Sequence, residues 1–256
     1  MKVIRKRRAG TLLKAFAAVA VTSAAAGAQA ASSASLPFGP GERAEYQVKL
    51  GVVSVGSGSV EVVGIETVQG FPTFHARMRV SGGIPLARVN DRYESWIDTQ
   101  GIFSRRFVQD VHEVNYRRNR SYDFDVANRT WRRTDGSDDT GTLPTNEPLD
   151  DLSFMFYART LPLKVGDQYR LTRYFKESGN PVILRVVRRE VVTVPAGRFN
   201  TVVVQPTIRT SGLFGEGGRA EIFFSDDERH IPVLIRSRVS RVGSLTMSLR
   251  TYRPAN

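Results

Sequence analysis

Hydrophobic and polar residues alternate with a period of two along most of the chain beyond residue 42. The alternation is clearest in five runs, which are 46–50, 74–80, 93–97, 169–175 and 245–251. Because successive side chains of a strand point to opposite faces of its sheet, this period predicts antiparallel strands with one buried face. Glycine and proline separate the runs at intervals of roughly 8 to 12 residues, which is typical of sandwiches and barrels. No segment repeats at a fixed length, which argues against a propeller or a solenoid.

One segment, 149–160, departs from this period. An aspartate stands at the N-cap position and the next proline is Pro162, so the segment predicts a helix. At helical spacing one face carries Leu152, Met155, Phe156 and Arg159, and the other faces carry Phe154, Tyr157 and Ala158. A helix that is apolar nearly all round cannot lie on a surface with one side in water. We therefore expect a mainly β fold, a curved antiparallel sheet or incomplete barrel enclosing one central helix as a plug or lid.

The first thirty residues have the pattern of a signal peptide. Six Lys and Arg residues form a basic start, the stretch from Ala15 to Val21 is apolar, and Ala28-Gln29-Ala30 supplies small residues for cleavage. The apolar stretch is shorter than the roughly 20 residues that a membrane-spanning helix needs, and an uncleaved anchor is the alternative. We expect a signal peptide at residues 1–30, removed after Ala30, and a single β-rich domain at 31–256. The mature protein is then periplasmic and does not span the membrane.

Charge and cysteine content narrow the possible functions. Removing the six basic residues of the leader lowers the formal net charge from +12 to +6, an excess compatible with weak attraction to anionic lipids or cell-wall polymers. Beyond the leader the basic residues are nearly all Arg. This indicates either bidentate recognition of phosphate or carboxylate groups or, the interpretation we favour, ordinary solvated strand faces. The chain has no Cys, which excludes disulfides, thiolate metal sites and thiol nucleophiles.

Few residues suggest catalysis or metal binding. The His residues are His75, His112 and His230. No two are three or four positions apart, so no pair would share a helix face as metal ligands. The acidic run 226–228 lacks the glycine and the ligand spacing of a Ca²⁺ loop, and we interpret it as a charged turn between strands 220–225 and 231–239. Asp226 and Glu228 could also be the paired carboxylates of a hydrolase acting on envelope glycans, which is the alternative interpretation. We predict no enzyme activity, no cofactor and no metal site.

Two further patterns have competing interpretations. Aromatic residues alternate with Arg in 111–133, as on a stacking surface for single-stranded nucleic acid. Export favours the other interpretation, a strand pair with aromatic residues inward and Arg and Asp paired across the outer face. The glycine-rich segment 212–218 resembles a phosphate loop, but neither a Lys-Ser/Thr pair nor a helix pattern follows it. We predict an apolar hairpin tip there, and no nucleic-acid partner.

Several landmarks together resemble a known family. They are, in order, Pro37–Arg43, Asp91–Asp98, Arg159–Leu163 with Gly166-Asp167, Val194–Phe199 and Phe224–Val233. Over nearly the whole mature chain this pattern is similar to the bacterial envelope family called domain of unknown function 3108. The resemblance implies export in Gram-negative bacteria and a periplasmic location, and it brings neither an established activity nor catalytic residues. More distantly, a curved sheet around a helix is similar to the periplasmic lipoprotein carriers, half-barrels that shelter acyl chains, although fold does not fix function.

These observations support two hypotheses of function. In the first, a non-catalytic periplasmic protein binds a lipid or another apolar or amphipathic molecule between the concave sheet and the helix. The expected lining residues are Trp96, Phe154, Met155, Phe156 and Tyr157, with Arg92 or Arg159 as an anchor for the head group. In the alternative, the helix completes a dry core, and Arg-rich outer strands that include Arg117, Arg118 and Arg120 bind another envelope protein or the cell wall. The alternative predicts that no cavity of ligand size adjoins the helix.

Overall fold

A computed structural model of the chain describes residues 36–84, 87–113, 116–207, 220–239 and 243–256. The expected signal peptide at 1–30 and the expected hairpin tip at 212–218 lie outside the described residues. Residues Leu36–Asn256 belong to one compact unit. No helix within the described ranges is both long and apolar enough to cross a membrane.

Within these ranges fourteen strands form one antiparallel sheet. The strands are β1 (Arg43–Leu50), β2 (Val53–Val68), β3 (Phe71–Ile84), β4 (Ala87–Asp98), β5 (Ser104–Glu113), β6 (Tyr116–Asp125), β7 (Thr130–Arg133), β8 (Thr140–Thr142), β9 (Gln168–Leu171), β10 (Val182–Val194), β11 (Gly197–Thr207), β12 (Ala220–Ser225), β13 (Pro232–Val239) and β14 (Gly243–Arg253). A helix, α1 (Ser153–Arg159), and a 3₁₀ turn at Glu177–Gly179 complete the described elements.

Neighbouring strands follow one another in sequence throughout the sheet, except that β1 pairs with β14. The first and last strands of the described chain therefore pair in the middle of the sheet, and the edge strands are β8 and β9. The connection between these edges carries α1, so the chain passes from one edge to the other through the helix. Because β8 and β9 do not pair with each other, the sheet is not closed into a barrel.

The sheet curves around one apolar core. Phe124 on β6 and Phe175, which follows β9, come from opposite halves of the sheet, and their ring centroids are 5.3 Å apart. On β1 the predicted alternation is present, since Ala44, Tyr46 and Val48 are buried while the residues between them are half-buried. The expected mainly β fold with a curved antiparallel sheet around one helix is confirmed.

One predicted strand is too long. The alternation in 169–175 predicts a strand to its end, but β9 stops at Leu171. Beyond it the chain leaves the sheet and pairs with the segment before α1, where the Phe175 amide donates to the Leu149 carbonyl at 3.0 Å. This departure places Phe175 in the core beside Phe107 and Tyr122.

The strands predicted in 111–133 are present as the end of β5, β6 and β7, and the predicted facing holds for part of the segment. Tyr122 and Phe124 on β6 are buried in the core. On the opposite face Asp123 accepts hydrogen bonds from Arg106 on β5 at 2.7 Å and from Arg132 on β7 at 3.3 Å. Tyr122 and Phe124 thus lie inward, and Arg106 and Arg132 pair with Asp123 across the outer face, whereas Arg118 and Arg120 lie on the side of Tyr122.

Candidate functional site

The apolar side chains of α1 are enclosed by the sheet. Phe154, Met155 and Phe156 are each 1% exposed, and Phe156 packs edge-on against Phe38 with ring centroids 4.9 Å apart. A side chain with so little accessible surface borders neither bulk water nor a void that admits a water molecule. In this structure these three residues therefore pack in the core and do not line an open cavity.

The start of α1 is tied to the sheet by a buried aspartate. One carboxylate oxygen of Asp150 accepts the amides of Leu152 and Ser153, both at 2.8 Å, and the other accepts the Ser95 hydroxyl on β4 at 2.6 Å. The Ser104 hydroxyl on β5 donates to the Ser153 hydroxyl at 2.7 Å. Asp150 thus caps the free amides of the first turn although the regular helix begins only at Ser153. Burial raises the pKa of Asp150, and these hydrogen bonds oppose the rise.

Asp151 is a second buried carboxyl at the same end of the helix. The Tyr174 hydroxyl donates to it at 3.1 Å. Burial, with a further contribution from the neighbouring Asp150, raises the pKa of Asp151 to about 7, while Arg118 and Lys176 act in the opposite direction. This carboxyl therefore changes charge near neutral pH inside the core.

The end of α1 is held by Arg159, whose side chain is almost completely buried. Its guanidinium forms an ion pair with Glu42 at 2.8 Å and donates to the carbonyls of Pro37 at 2.7 Å and Arg229 at 3.0 Å. Burial raises the pKa of Glu42, and the Arg159 charge opposes that rise. Because Arg159 is engaged with protein groups, it is not available in this structure as the head-group anchor that the sequence suggested.

One expected lining residue, Trp96, and one expected head-group anchor, Arg92, lie on the other face of the sheet. Trp96 and Arg92 on β4 point to the outer side of the sheet, because Tyr93 and Ile97 on the same strand point into the core. The Trp96 indole donates to Glu66 at 2.7 Å, and Arg92 pairs with Asp110 at 3.6 Å. Grouping Trp96 and Arg92 with the helix was therefore wrong.

The other residues that the sequence predicted to contact a ligand lie close together on α1. Phe154, Met155, Phe156 and Arg159 form one buried group, and Tyr157 lies half-buried at its edge, where the Arg173 guanidinium covers its ring at 4.3 Å. Whether any of these residues contacts a ligand remains a prediction.

Sequence reasoning also misplaced two arginines of β6. Arg118 and Arg120 stand opposite Val111 and Gln109 of β5, and they share the concave face with Tyr122. Both are half-buried, whereas Arg117 is exposed on the outer face. The signal was available, because Arg118, Arg120 and Tyr122 are two positions apart and therefore lie on the same side of the strand.

A paired layer of polar side chains covers the outer face of β1 to β7. Its contacts run from strand to strand as Arg43–Glu61 (2.5 Å), Glu61–Arg77 (3.3 Å), Arg77–Glu94 (2.6 Å), His75–Glu66 (2.8 Å), Glu66–Trp96 (2.7 Å), Arg106–Asp123 (2.7 Å) and Asp123–Arg132 (3.3 Å). Two ring contacts join the parts of this layer: His75 stacks on Trp96 at 4.5 Å, and the Arg106 guanidinium lies 5.7 Å from the Trp96 ring. We call this set of residues the outer belt.

The acidic run forms a turn between β12 and β13, as predicted. Asp226 pairs with Arg189 at 2.8 Å, and Asp227 accepts the Ser225 hydroxyl at 2.7 Å. Asp226 and Glu228 thus lie in a turn and not two apart along a strand, so the strand geometry assumed for a carboxylate pair is absent. In the part of the chain that the structure describes, no group of three His, Asp or Glu residues is arranged to hold a metal ion.

Comparison with known proteins gives a family and a fold. The family model described as "Protein of unknown function (DUF3108)" matches residues 45–250. No curated protein matches the chain. The crystal structure of a β-barrel-like protein of domain of unknown function DUF1849 from Brucella abortus is similar at a TM-score of 0.57 and 11% identity, covering 87% of this chain and 100% of that one.

Two other solved structures are more distant. A protein from Bacteroides fragilis, described as a candidate exported protein with a YmcC-like fold, has a TM-score of 0.30 and 12% identity, covering 85% of this chain and 98% of its own. A candidate lipoprotein from Parabacteroides distasonis has a TM-score of 0.31 and 10% identity with the same coverage.

Proposed function

This chain belongs to the DUF3108 family of proteins of unknown function, and from that premise we propose that it is a non-catalytic envelope protein that acts as a rigid scaffold. Its core around α1 is dry, and its outer face binds another component of the envelope. The proposal places the mature protein in the periplasm, which rests on the signal-peptide pattern of the first thirty residues.

The observation that carries the proposal is the enclosure of α1. Phe154, Met155, Phe156 and Ala158 are 0–1% exposed, and buried polar contacts of Asp150 and Arg159 hold both ends of the helix. An acyl chain could contact Phe154 or Phe156 only if these contacts broke. Removing one partner of a buried charged pair costs about 3–5 kcal/mol, so moving the helix away from the sheet has a high free-energy cost.

A second candidate is binding of an amphipathic lipid, which one observation favours. Arg118 and Arg120 face the concave side of the sheet, where their guanidinium groups could contact an anionic head group. In this candidate the acyl chain lies beside the core, and the helix keeps its place.

Native mass spectrometry of protein released gently from its own envelope distinguishes the two candidates. The scaffold predicts the mass of the bare polypeptide. A stoichiometric lipid adduct that persists in Arg117→Ala and is lost in the Arg118→Ala, Arg120→Ala double variant would contradict the scaffold and support lipid binding. Arg117 is the matched control because it belongs to the same strand and faces outward.

A further inference from the structure

A cleft of about 620 Å³ opens on the outer side of the sheet. It lies between two turns, the β2–β3 turn at Gln69 and the β6–β7 turn at Val126 and Ala127. Its volume falls within the range of roughly 300–1,000 Å³ for small-molecule sites. The cleft is separate from the helix, and it adjoins the outer belt at Asp123 and Arg132.

An exposed aromatic ring forms one wall of the cleft. Phe71 is 47% exposed, and the guanidinium of Arg105 lies 3.5 Å from its ring centroid. Arg105 is held in place by Asp98 at 2.8 Å and is the extra residue of a β-bulge between β4 and β5. Bulges commonly redirect a side chain beside a functional site. One face of the ring is therefore fixed by Arg105, and the exposed remainder can pack against an apolar surface of a ligand.

The charged side chains of the cleft include both positive and negative groups. Arg132 has a side chain that is 66% exposed and pairs with Asp123, and Asp125 and Thr130 are also exposed on the neighbouring strands β6 and β7. An anionic ligand would meet the two aspartates, and a cationic ligand would meet Arg105 and Arg132. Hydroxyl groups both donate and accept hydrogen bonds, so a neutral polyol can use carboxylate, guanidinium and hydroxyl partners together.

Backbone conformation supports the same location. Gln69 has φ +54°, in the left-handed region where Gly or Asn is favoured. It is followed by Gly70 at φ +83°, a pair of positive angles that fits a tight hairpin turn in which Asn-Gly would be usual. The turn thus retains a long amide side chain at the rim of the cleft, at a cost in backbone strain.

We propose that this cleft binds a neutral saccharide, with one sugar ring packed on Phe71 and its hydroxyls hydrogen-bonded to Asp125, Thr130, Arg132 and Gln69. The inference rests on the proposed function, in which the outer face of the sheet binds a component of the envelope. It adds that this component is a glycan. It does not depend on whether the core is dry.

Calorimetric titration with the neutral sugars N,N′,N″-triacetylchitotriose, maltotriose and mannotriose, each to about 5 mM, tests the inference, because this concentration is high enough to detect a millimolar Kd. At least one of these sugars should bind the wild-type protein, and Phe71→Ala should weaken that binding about tenfold or more because the apolar packing is lost. Val191→Ala is the matched control, because it trims another exposed apolar side chain, 49% exposed, in the other half of the sheet. The control should bind as the wild type does.

Three results would overturn the inference. The first is that none of the three sugars binds, and the second is that Phe71→Ala and the wild type bind a sugar with equal affinity. The third is that the protein binds inorganic phosphate and no sugar, with a phosphate affinity that falls steeply from low to high salt. Thermal unfolding of both variants shows that they are folded. If no sugar binds and native mass spectrometry gives the mass of the bare polypeptide, the saccharide inference fails and the scaffold proposal stands. If a sugar binds and a lipid adduct is also found, the scaffold proposal fails and the saccharide inference stands.

Discussion

Asp151 is a buried carboxyl whose ionisation makes stability depend on pH near neutrality. It is buried, and burial together with Asp150 raises its pKa from 3.8 to about 7. In the unfolded chain the carboxyl ionises near pH 4, while in the folded chain it stays protonated to about pH 7. The unfolded state therefore binds fewer protons between these values, and the free energy of unfolding falls as pH rises through this window.

Replacing the Asp151 carboxyl should make the free energy of unfolding depend less on pH. In Asp151→Asn the amide oxygen can still accept the Tyr174 hydroxyl, and no charge appears at pH 8. We expect the free energy of unfolding at pH 8 to exceed that of the wild type by on the order of a few kcal/mol. We expect the difference to vanish toward pH 4. Urea unfolding at pH 4, 6 and 8 measures it, and parallel pH profiles for the two proteins would contradict the assignment.

The Glu42–Arg159 pair predicts strong coupling between two buried charges. Their side chains are 6% and 1% exposed and 2.8 Å apart. Arg159→Met leaves Glu42 buried without its cation, and we expect a loss of about 3–5 kcal/mol in the free energy of unfolding. The double variant Glu42→Gln, Arg159→Met should recover much of this loss. A double-mutant cycle by urea unfolding checks it, and purely additive losses would show that the pair is not coupled.

The face of the sheet on which a side chain lies was harder to predict than the strands themselves. Period two assigns Tyr93 and Ile97 to one side of β4, so Trp96 belongs to the other side, and its size and apolar character alone suggested a lining residue. The outer belt explains why a Trp can lie there, since its indole donates to Glu66 and its ring stacks on His75. The polar partners of Trp96 come from other strands, and their register cannot be read from a single segment.

At the scale of elements, the buried helix was predictable and its boundaries were not. Apolar residues all round the segment predicted enclosure, which the structure confirms. The regular helix spans only Ser153–Arg159, because Asp150 uses its side chain to cap the first amides. The shortened β9 has a similar cause, since Tyr174 and Phe175 pair with and pack near the segment before α1, a tertiary contact that alternation does not show.

Enclosure of α1 predicts unequal costs for two neighbouring aromatic residues. Phe156→Ala removes a ring that is 1% exposed and leaves a cavity, so the free energy of unfolding should fall by about 3–5 kcal/mol. Tyr157→Ala is the control, because Tyr157 is half-buried on the same helix and its truncation should cost clearly less. Equal losses, measured by urea unfolding, would contradict the packing described for the helix.

At the scale of the whole molecule, the sheet has two different surfaces. The inner surface packs around α1, and on β1 to β7 the outer surface carries the outer belt, in which each of the four Arg side chains has a carboxylate partner. On the other half Phe223 is buried on the outer face under the guanidinium groups of Arg188 and Arg236, which lie 5.6 and 4.9 Å from its ring centroid. Planar guanidinium groups stack on aromatic rings, so Arg188 and Arg236 cover apolar surface that would otherwise face water.

Hydrogen exchange of the α1 amides tests the central claim, that the helix is sealed into the core. Mass spectrometry of peptides covering Phe154–Arg159 gives the free energy of opening, and urea unfolding gives the global value. If the helix opens only when the protein unfolds, the two values agree. An opening free energy several kcal/mol below the global value, with the β-strands still protected, would mean that α1 leaves the sheet as a gate and would contradict the dry scaffold.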